Sequence, residues 1–277
     1  MTNNLKNTVS VQREHIDWSG DATTIQFAHS KTDREGQDAG NKRHVYANPF
    51  MPAICPVLSI AQYFAANPDK ESGRLFSGGK QYDRFRKLLG RIVEKHSKEI
   101  RRMDIDPKDL GVHSIRKGAA AYCCNGTTSG VSFASVCNCA GWSMGGIKDH
   151  YLQYDSAGDQ VCGRTVTGLE VTSYRYSVSQ PHFKNVRSST TNSTSATPNK
   201  STCTEEEDID AAIETTFGEI PERWQMLARY FLASLLFHSE YLDKTMHKSS
   251  LVRGSSVFRR EVFDCVRDCV LTCFPWD

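Results

Sequence analysis

Val112-His113-Ser114-Ile115-Arg116-Lys117-Gly118 is the stretch on which the reading of this 277-residue chain turns. His113 and Arg116 stand three positions apart, close to one helical turn, so on a helix both side chains leave the same face. A ring nitrogen and a guanidinium then address one spot, and the guanidinium's rigid fork of donors fits a phosphate bidentately, as a lysine cannot. Gly118, Ala119, Ala120 and Ala121 follow, small residues that let the helix pack closely, with Gly126 at its C-cap. A second, apolar helix is expected from about Val131 to Ala140, broken by Gly141. Trp142 opens a loop, and Tyr151 falls nine residues beyond Trp142 on a further short helix, Gly146 to Gln153.

Upstream of this stretch the chain reads first as a small sheet. Val9, Val11 and Ile16 lead to Trp18, Ser19-Gly20-Asp21 supplies turn chemistry, and Thr23 to Phe27 alternates as a strand does. The polar run Thr32 to Asn41 makes a hairpin tip and Arg43 to Tyr46 returns. Pro56 then opens a core helix carrying Leu58, Ile60, Ala61, Tyr63 and Phe64. From Gln81 to Met103 a helical period places Phe85, Leu88, Leu89, Ile92, His96 and Ile100 on an expected apolar face. Arg84, Lys87, Arg91, Lys95, Lys98 and Arg102 recur on another. Such a basic stripe is either a solvated face or one that follows a DNA backbone and releases its counterions. Lys117, next to the phosphate-directed Arg116, belongs with the second possibility.

Downstream of Tyr151 the composition changes. From about Ser177 to Thr204, Ser, Thr, Asn and a few Pro leave little to bury, which reads as a flexible linker, and Glu205 to Asp210 is an acidic run. The remainder reads as helical, with Trp224, Leu227, Phe231, Leu235 and His238 on one face and Val257 to Cys273 forming another helix. Cys265, Cys269 and Cys273 fall four residues apart on the latter; with no fourth ligand nearby, buried packing is the expected role rather than zinc.

Composition limits the partners. A hydrophobic share of 39% with 24% charged residues suits a soluble globular protein of one or two domains. There is no apolar run of membrane-spanning length and no signal-peptide core after Met1-Thr2-Asn3-Asn4, so an intracellular protein is expected. Ten cysteines without paired spacing fit a reducing compartment, where they serve as small buried apolar residues. A net charge of +2 identifies no nucleic-acid partner by itself; only its distribution is informative.

The ordered set His113-x-x-Arg116, Gly141-Trp142 and Tyr151 resembles the catalytic core of tyrosine recombinases, the phage-integrase class. Lys42-Arg43-His44-Val45-Tyr46-Ala47-Asn48-Pro49, Ile54-Cys55-Pro56-Val57-Leu58 and Phe231-Leu232-Ala233-Ser234-Leu235 before His238 are similar to the recombinases of Crypton-type transposons of oomycetes. The resemblance implies DNA strand cleavage and rejoining through a 3′-phosphotyrosine, a transesterification that conserves the bond energy and needs neither ATP nor metal. Tyr151 would attack the scissile phosphate, with Tyr154 as rival nucleophile. Arg116 would hold the developing charge, His113 would orient the phosphate or take the tyrosine proton, and Trp142 would donate its indole N–H. Lys31, at the hairpin position where the family carries a lysine, would protonate the leaving 5′-oxygen.

Two departures accompany this. The family's first catalytic arginine, aligned on Ile16-Asp17 and Lys31, falls near Asn3 or Asn4, and no arginine precedes Arg13. The helical DNA-clamping domain normally found upstream is also missing, so the chain is expected to be N-terminally truncated and its activity weak or lost, by roughly a thousand-fold for one arginine. The alternative is a catalytically silent DNA-binding or assembly protein that keeps the fold. The expected fold class is α+β, a mostly helical catalytic core with a small N-terminal antiparallel sheet over residues 1–176, a linker at 177–207 and a helical region at 208–277. The resemblance further implies double-stranded DNA as partner, a homo-oligomer on it, and a nuclear location.

Overall fold

Gly20, at φ +61, turns the chain between β1 (Ile16–Ser19) and β2 (Ala22–Gln26), a left-handed conformation that glycine adopts without steric cost. With β3 (Lys42–Val45) these strands form an antiparallel sheet in the order β1-β2-β3. This is the expected N-terminal sheet. The computed structural model describes residues 8–27, 42–68, 73–126, 129–142, 144, 156–184, 200–258 and 266–272. Lys31, Tyr151, Tyr154 and the helix expected over Gly146 to Gln153 lie outside the described residues.

The rest is mostly helical, as the α+β reading requires. In chain order come α1 (Pro56–Ala65), α2 (Gln81–Lys95), α3 (Ser97–Arg102), α4 (Val112–Asn125), α5 (Phe133–Ala140) and α6 (Ser156–Val166). After them come α7 (Lys200–Phe217), α8 (Gln225–Phe237) and α9 (Ser239–Thr245). A two-stranded antiparallel pair, β4 (His182–Phe183) with β5 (Val270–Leu271), completes the described elements. No helix among the described residues is long and apolar enough to cross a membrane.

The chain forms two compact units that share it in alternating segments. One takes Met1–Ile16, Thr24–His44 and Ser72–Thr172, the other Asp17–Thr23, Val45–Glu71 and Ser173–Asp277. In the first, α4, α5 and α6 meet around Ala120, Cys123, Val131, Val136, Cys139 and Cys162. The small residues at 118–121 and the thiols permit that close approach. Hydrogen bonds with Cys123 and Cys139, together with burial, push the Cys162 thiol up, so it stays protonated. In the second unit α8 lies on α1. Trp224, Leu227, Phe231, Leu235 and His238 are all buried, as the 3.6-residue period predicts. Phe64 of α1 meets Trp224 edge-on at 5.9 Å and Phe231 at 5.5 Å. Cys55 caps α1, its sulfur accepting from the Leu58 N–H at 3.4 Å.

The structure departs from expectation in three places. The helix expected over Gln81 to Met103 breaks at His96, and its apolar face is not a core face. Only Ile100 is buried, whereas Leu88 and Ile92 are 46% and 48% exposed. Periodicity sorts a helix into faces but does not say whether another element covers one of them. Of the C-terminal helix expected over Val257 to Cys273, the described residues show a 3-10 turn at Ser256–Phe258, helical backbone at 266–267 and strand β5 towards its end, while 259–265 and 273 lie outside the described residues. The partner of β5 lies near residue 182, beyond the reach of a local pattern. Of the stretch assigned to a linker, Gln180, Pro181 and Phe183 are buried and Lys200 begins a helix, while 185–199 lie outside the described residues.

Candidate functional site

Helix α4 starts where Ser114 ties its own first turn: the Ser114 hydroxyl donates to the Asp109 carbonyl at 2.9 Å and accepts from the Gly111 N–H at 3.0 Å. That start sets His113 and Arg116 one turn apart. His113 and Lys117 are exposed and Arg116 is half-buried. From there the Arg116 guanidinium reaches the C-terminal end of α5, where a terminal nitrogen donates to the Ala140 carbonyl. Its central carbon lies 5.2 Å from the ring centre of Trp142, a cation–π contact.

The end of α5 explains how Trp142 comes to be there. Gly141 takes φ +63, its N–H bonds the Asn138 carbonyl at 3.0 Å, and the Trp142 N–H bonds the Cys137 carbonyl at 2.9 Å. This closure folds the chain back on the helix end and presents the indole, 37% exposed, beside the arginine. The arginine Nε is buried and has no hydrogen-bond partner among the described residues. Burial lowers the guanidinium below its ordinary value, yet an arginine of this kind keeps its charge. A planar cation fixed by a carbonyl on one side and an aromatic face on the other can receive an oxyanion without rearranging. The same bond to a helix-terminal carbonyl also serves as an ordinary C-terminal cap.

Of the residues singled out from sequence, the structure brings Arg116 and Trp142 into contact across 26 positions of chain and places His113 one turn earlier on the same helix. The basic residues Arg84, Lys87, Arg91, Lys95, Lys98 and Arg102 all stand exposed on α2 and α3.

The sequence reading passed over a second charged cluster in the same unit. Asp159, 4% exposed on α6, accepts from the His44 backbone N–H and ring Nδ1, each at 2.8 Å, and from the Cys139 thiol at 2.8 Å. It also lies 3.5 Å from the Arg43 guanidinium, which donates to the Asn138 carbonyl at 3.0 Å. Two arginines thus serve neighbouring carbonyls at the end of α5. Burial by itself would raise the Asp159 carboxyl. The bonds from the His44 ring and Cys139, the charge of Arg43 and the His44 N–H together outweigh it and hold the group below the usual carboxylate range. The available signal was an Arg-His pair inside a strand and the one acid of a helix whose other residues, Arg164 apart, are uncharged. Among the described residues no group of three His, Cys, Asp or Glu side chains could hold a metal ion. No protein-family model, curated protein or solved structure matches the chain.

Proposed function

We propose that this protein is a DNA-binding tyrosine recombinase of a mobile element, cleaving and rejoining strands through a 3′-phosphotyrosine. The observation that carries the reading is the meeting of Arg116 and Trp142 on a part-exposed surface, one helical turn from His113. A phosphodiester resists attack because charge builds on its nonbridging oxygens, and a half-buried guanidinium held in place by the Ala140 carbonyl and the Trp142 ring is suited to that charge. The indole N–H of Trp142 and the ring of His113 supply two further polar contacts from the same neighbourhood. Tyr151 is the nucleophile and Lys31 the acid for the leaving oxygen. The exposed cations of α2 and α3 are the backbone contacts that bring duplex DNA to the site, in the nucleus and in an oligomer of this chain.

The test is a nicked suicide duplex that traps the covalent intermediate. The wild-type chain is expected to give a detergent-resistant protein–DNA adduct only slowly, in keeping with the weak activity expected from its sequence. Tyr151→Phe should abolish it with binding unchanged, and Arg116→Ala should slow it by about a hundred-fold or more. An adduct undiminished in Tyr151→Phe overturns the assignment.

A second reading, a protein that keeps the fold and binds DNA without cutting, draws on the Ala140 bond, which gives Arg116 a purely structural use. Intact binding with no adduct from the wild type selects it. Both readings share one further expectation. Neutralising Arg84, Arg91 and Lys95 to Gln should flatten the dependence of log affinity on log salt by about 0.9 for each DNA phosphate left without its cation, measured by fluorescence anisotropy. An unchanged slope removes α2 from the interface.

A further inference from the structure

Two stretches that carry almost no charge meet on the surface of the second unit. From Val45 to Pro68 there is no Asp, Glu, Lys or Arg, and between Glu170 and Lys184 the only one is Arg175. The Arg175 guanidinium lies over the Phe50 ring, 4.7 Å from its centre, and 5.5 Å from the centre of the Tyr174 ring. Its Nε donates to the Tyr174 hydroxyl at 3.2 Å. Met51, Ile54 and Arg175 are exposed and Tyr174 is 61% exposed, so one accessible cation stands in apolar surface.

Both stretches are fixed by their own backbones. Asn48, 1% exposed, accepts from the Phe50 and Met51 N–H groups at 3.0 and 3.1 Å, and a 3-10 turn over Pro52–Ile54 leads the chain into α1. The Ser173 hydroxyl accepts from the Arg175 N–H at 3.2 Å and opens a second such turn, Tyr174–Ser177. A buried asparagine thus holds an apolar loop with its large side chains in water. A surface already ordered in this way spares a partner the entropy of ordering it. Aromatic, Met and Arg side chains without Lys or Glu among them are also the composition that distinguishes protein interfaces from other surface.

The single charge selects the kind of partner. A nucleic-acid backbone or an anionic lipid surface is held by clusters of cations, which this surface lacks. A wholly apolar partner would cover the guanidinium and leave it unpaired, at a cost in free energy. Among the described residues no carboxylate pairs with Arg175 and its terminal nitrogens have no acceptor, so they remain as parallel donors for one carboxylate.

We propose that this surface docks a short segment of a partner protein in which one Asp or Glu is flanked by large apolar residues. The carboxylate accepts from Arg175, and the apolar residues lie against Met51, Ile54 and Tyr174. Arg116 and Trp142 belong to the other unit, so this docking stands whether or not the chain cleaves DNA.

Panning a phage-displayed library of random peptides on the full chain tests this. Peptides retained by the wild type and not by Arg175→Gln are expected to share one Asp or Glu with large apolar residues beside it. With such a peptide, labelled and followed by fluorescence anisotropy, Arg175→Gln should weaken binding about tenfold or more, as the loss of a charge-assisted hydrogen bond does. Changing the peptide's acid to its amide should do the same, and the two changes together should weaken binding little further, because they remove one contact. Met51→Glu with Ile54→Glu, which sets like charge against the peptide, should also abolish docking. Lys244→Gln, at a cation of the same unit already 3.6 Å from Glu240, should leave it unchanged. Should Arg175→Gln melt early by circular dichroism, the acid-to-amide change in the peptide answers on the wild-type protein alone. Failure to select any peptide overturns the proposal, as does a consensus without an acid or two changes whose effects simply add. Displacement of the peptide by oligothymidylate, or self-association that Arg175→Gln abolishes, overturns it too, in favour of a nucleic acid or a second copy as occupant.

Discussion

Phe231→Ala is expected to cost about 3–5 kcal/mol of stability, the usual range for deleting an aromatic ring from a packed interior. The side chain is 1% exposed, its ring lies 5.5 Å from that of Phe64, and it sits where α8 packs on α1. Leu227, Leu232 and Leu235 on the same helix are each fully buried, so the interior around the void is already packed. Collapse to fill it would therefore need movement of a helix and not of one rotamer. Denaturant titration followed by tryptophan fluorescence is an apt measurement, because buried Trp224 also contacts Phe64. Phe237→Ala, at a 42% exposed ring six residues on, should change stability by no more than about 0.5 kcal/mol. Equal effects from the two substitutions would contradict the α8–α1 core.

Asp159→Ala is expected to be about as damaging, roughly 3–5 kcal/mol, for an electrostatic reason. The carboxylate accepts three hydrogen bonds and faces Arg43, so its removal takes the counter-charge from a guanidinium only 13% exposed and the acceptor from the His44 N–H. The pH dependence follows from the direction of its shift. Its folded-state pKa is depressed, so the stability it contributes is fully present above the ordinary carboxylate value, about 3.9, and is lost as pH falls through the lower folded value. Between those two values the wild type should lose stability with falling pH more steeply than Asp159→Asn, which has nothing to titrate there. Identical acid limbs would refute the role assigned to the carboxylate. Replacing Arg43 by Met together with Asp159 by Leu should recover much of the loss, since exchanging a buried ion pair for apolar groups of similar size is often near neutral.

The sequence was informative where local chemistry decides structure. Gly20 in a turn, Pro56 at a first helical turn, Gly141 ending α5 and the spacing from Trp224 to His238 are each dictated by backbone geometry or by one burial face, and each is found as read. The contact of Arg116 with Trp142 was legible only as an ordered pair of residues; its geometry comes from the turn at Gly141, which returns the chain to α4. Other features depend on partners distant in sequence. Leu88 and Ile92 carry the same period as a buried face but have nothing over them, and Val270–Leu271 becomes a strand because His182–Phe183 offers an edge. Residues 11–13 likewise bond to 73–75, through Leu75 N–H to Val11 at 2.8 Å and Arg13 N–H to Gly73 at 2.9 Å, a pairing no local window contains. Asp159 escaped notice because a solitary acid has no period; its meaning lies in Arg43 and His44, 116 and 115 positions earlier.

The alternation of the two units along the polypeptide has a practical corollary for anyone dissecting the gene. The backbone passes from one unit to the other five times, at residues 16–17, 23–24, 44–45, 71–72 and 172–173. No single scissile position can release either unit whole, and an expression fragment beginning at Ser173 would lack the stretch that carries α1, and with it the surface on which α8 lies. Terminal deletions in this protein should therefore yield insoluble products even when they spare every residue of the activity being sought, and function is better mapped by point substitution.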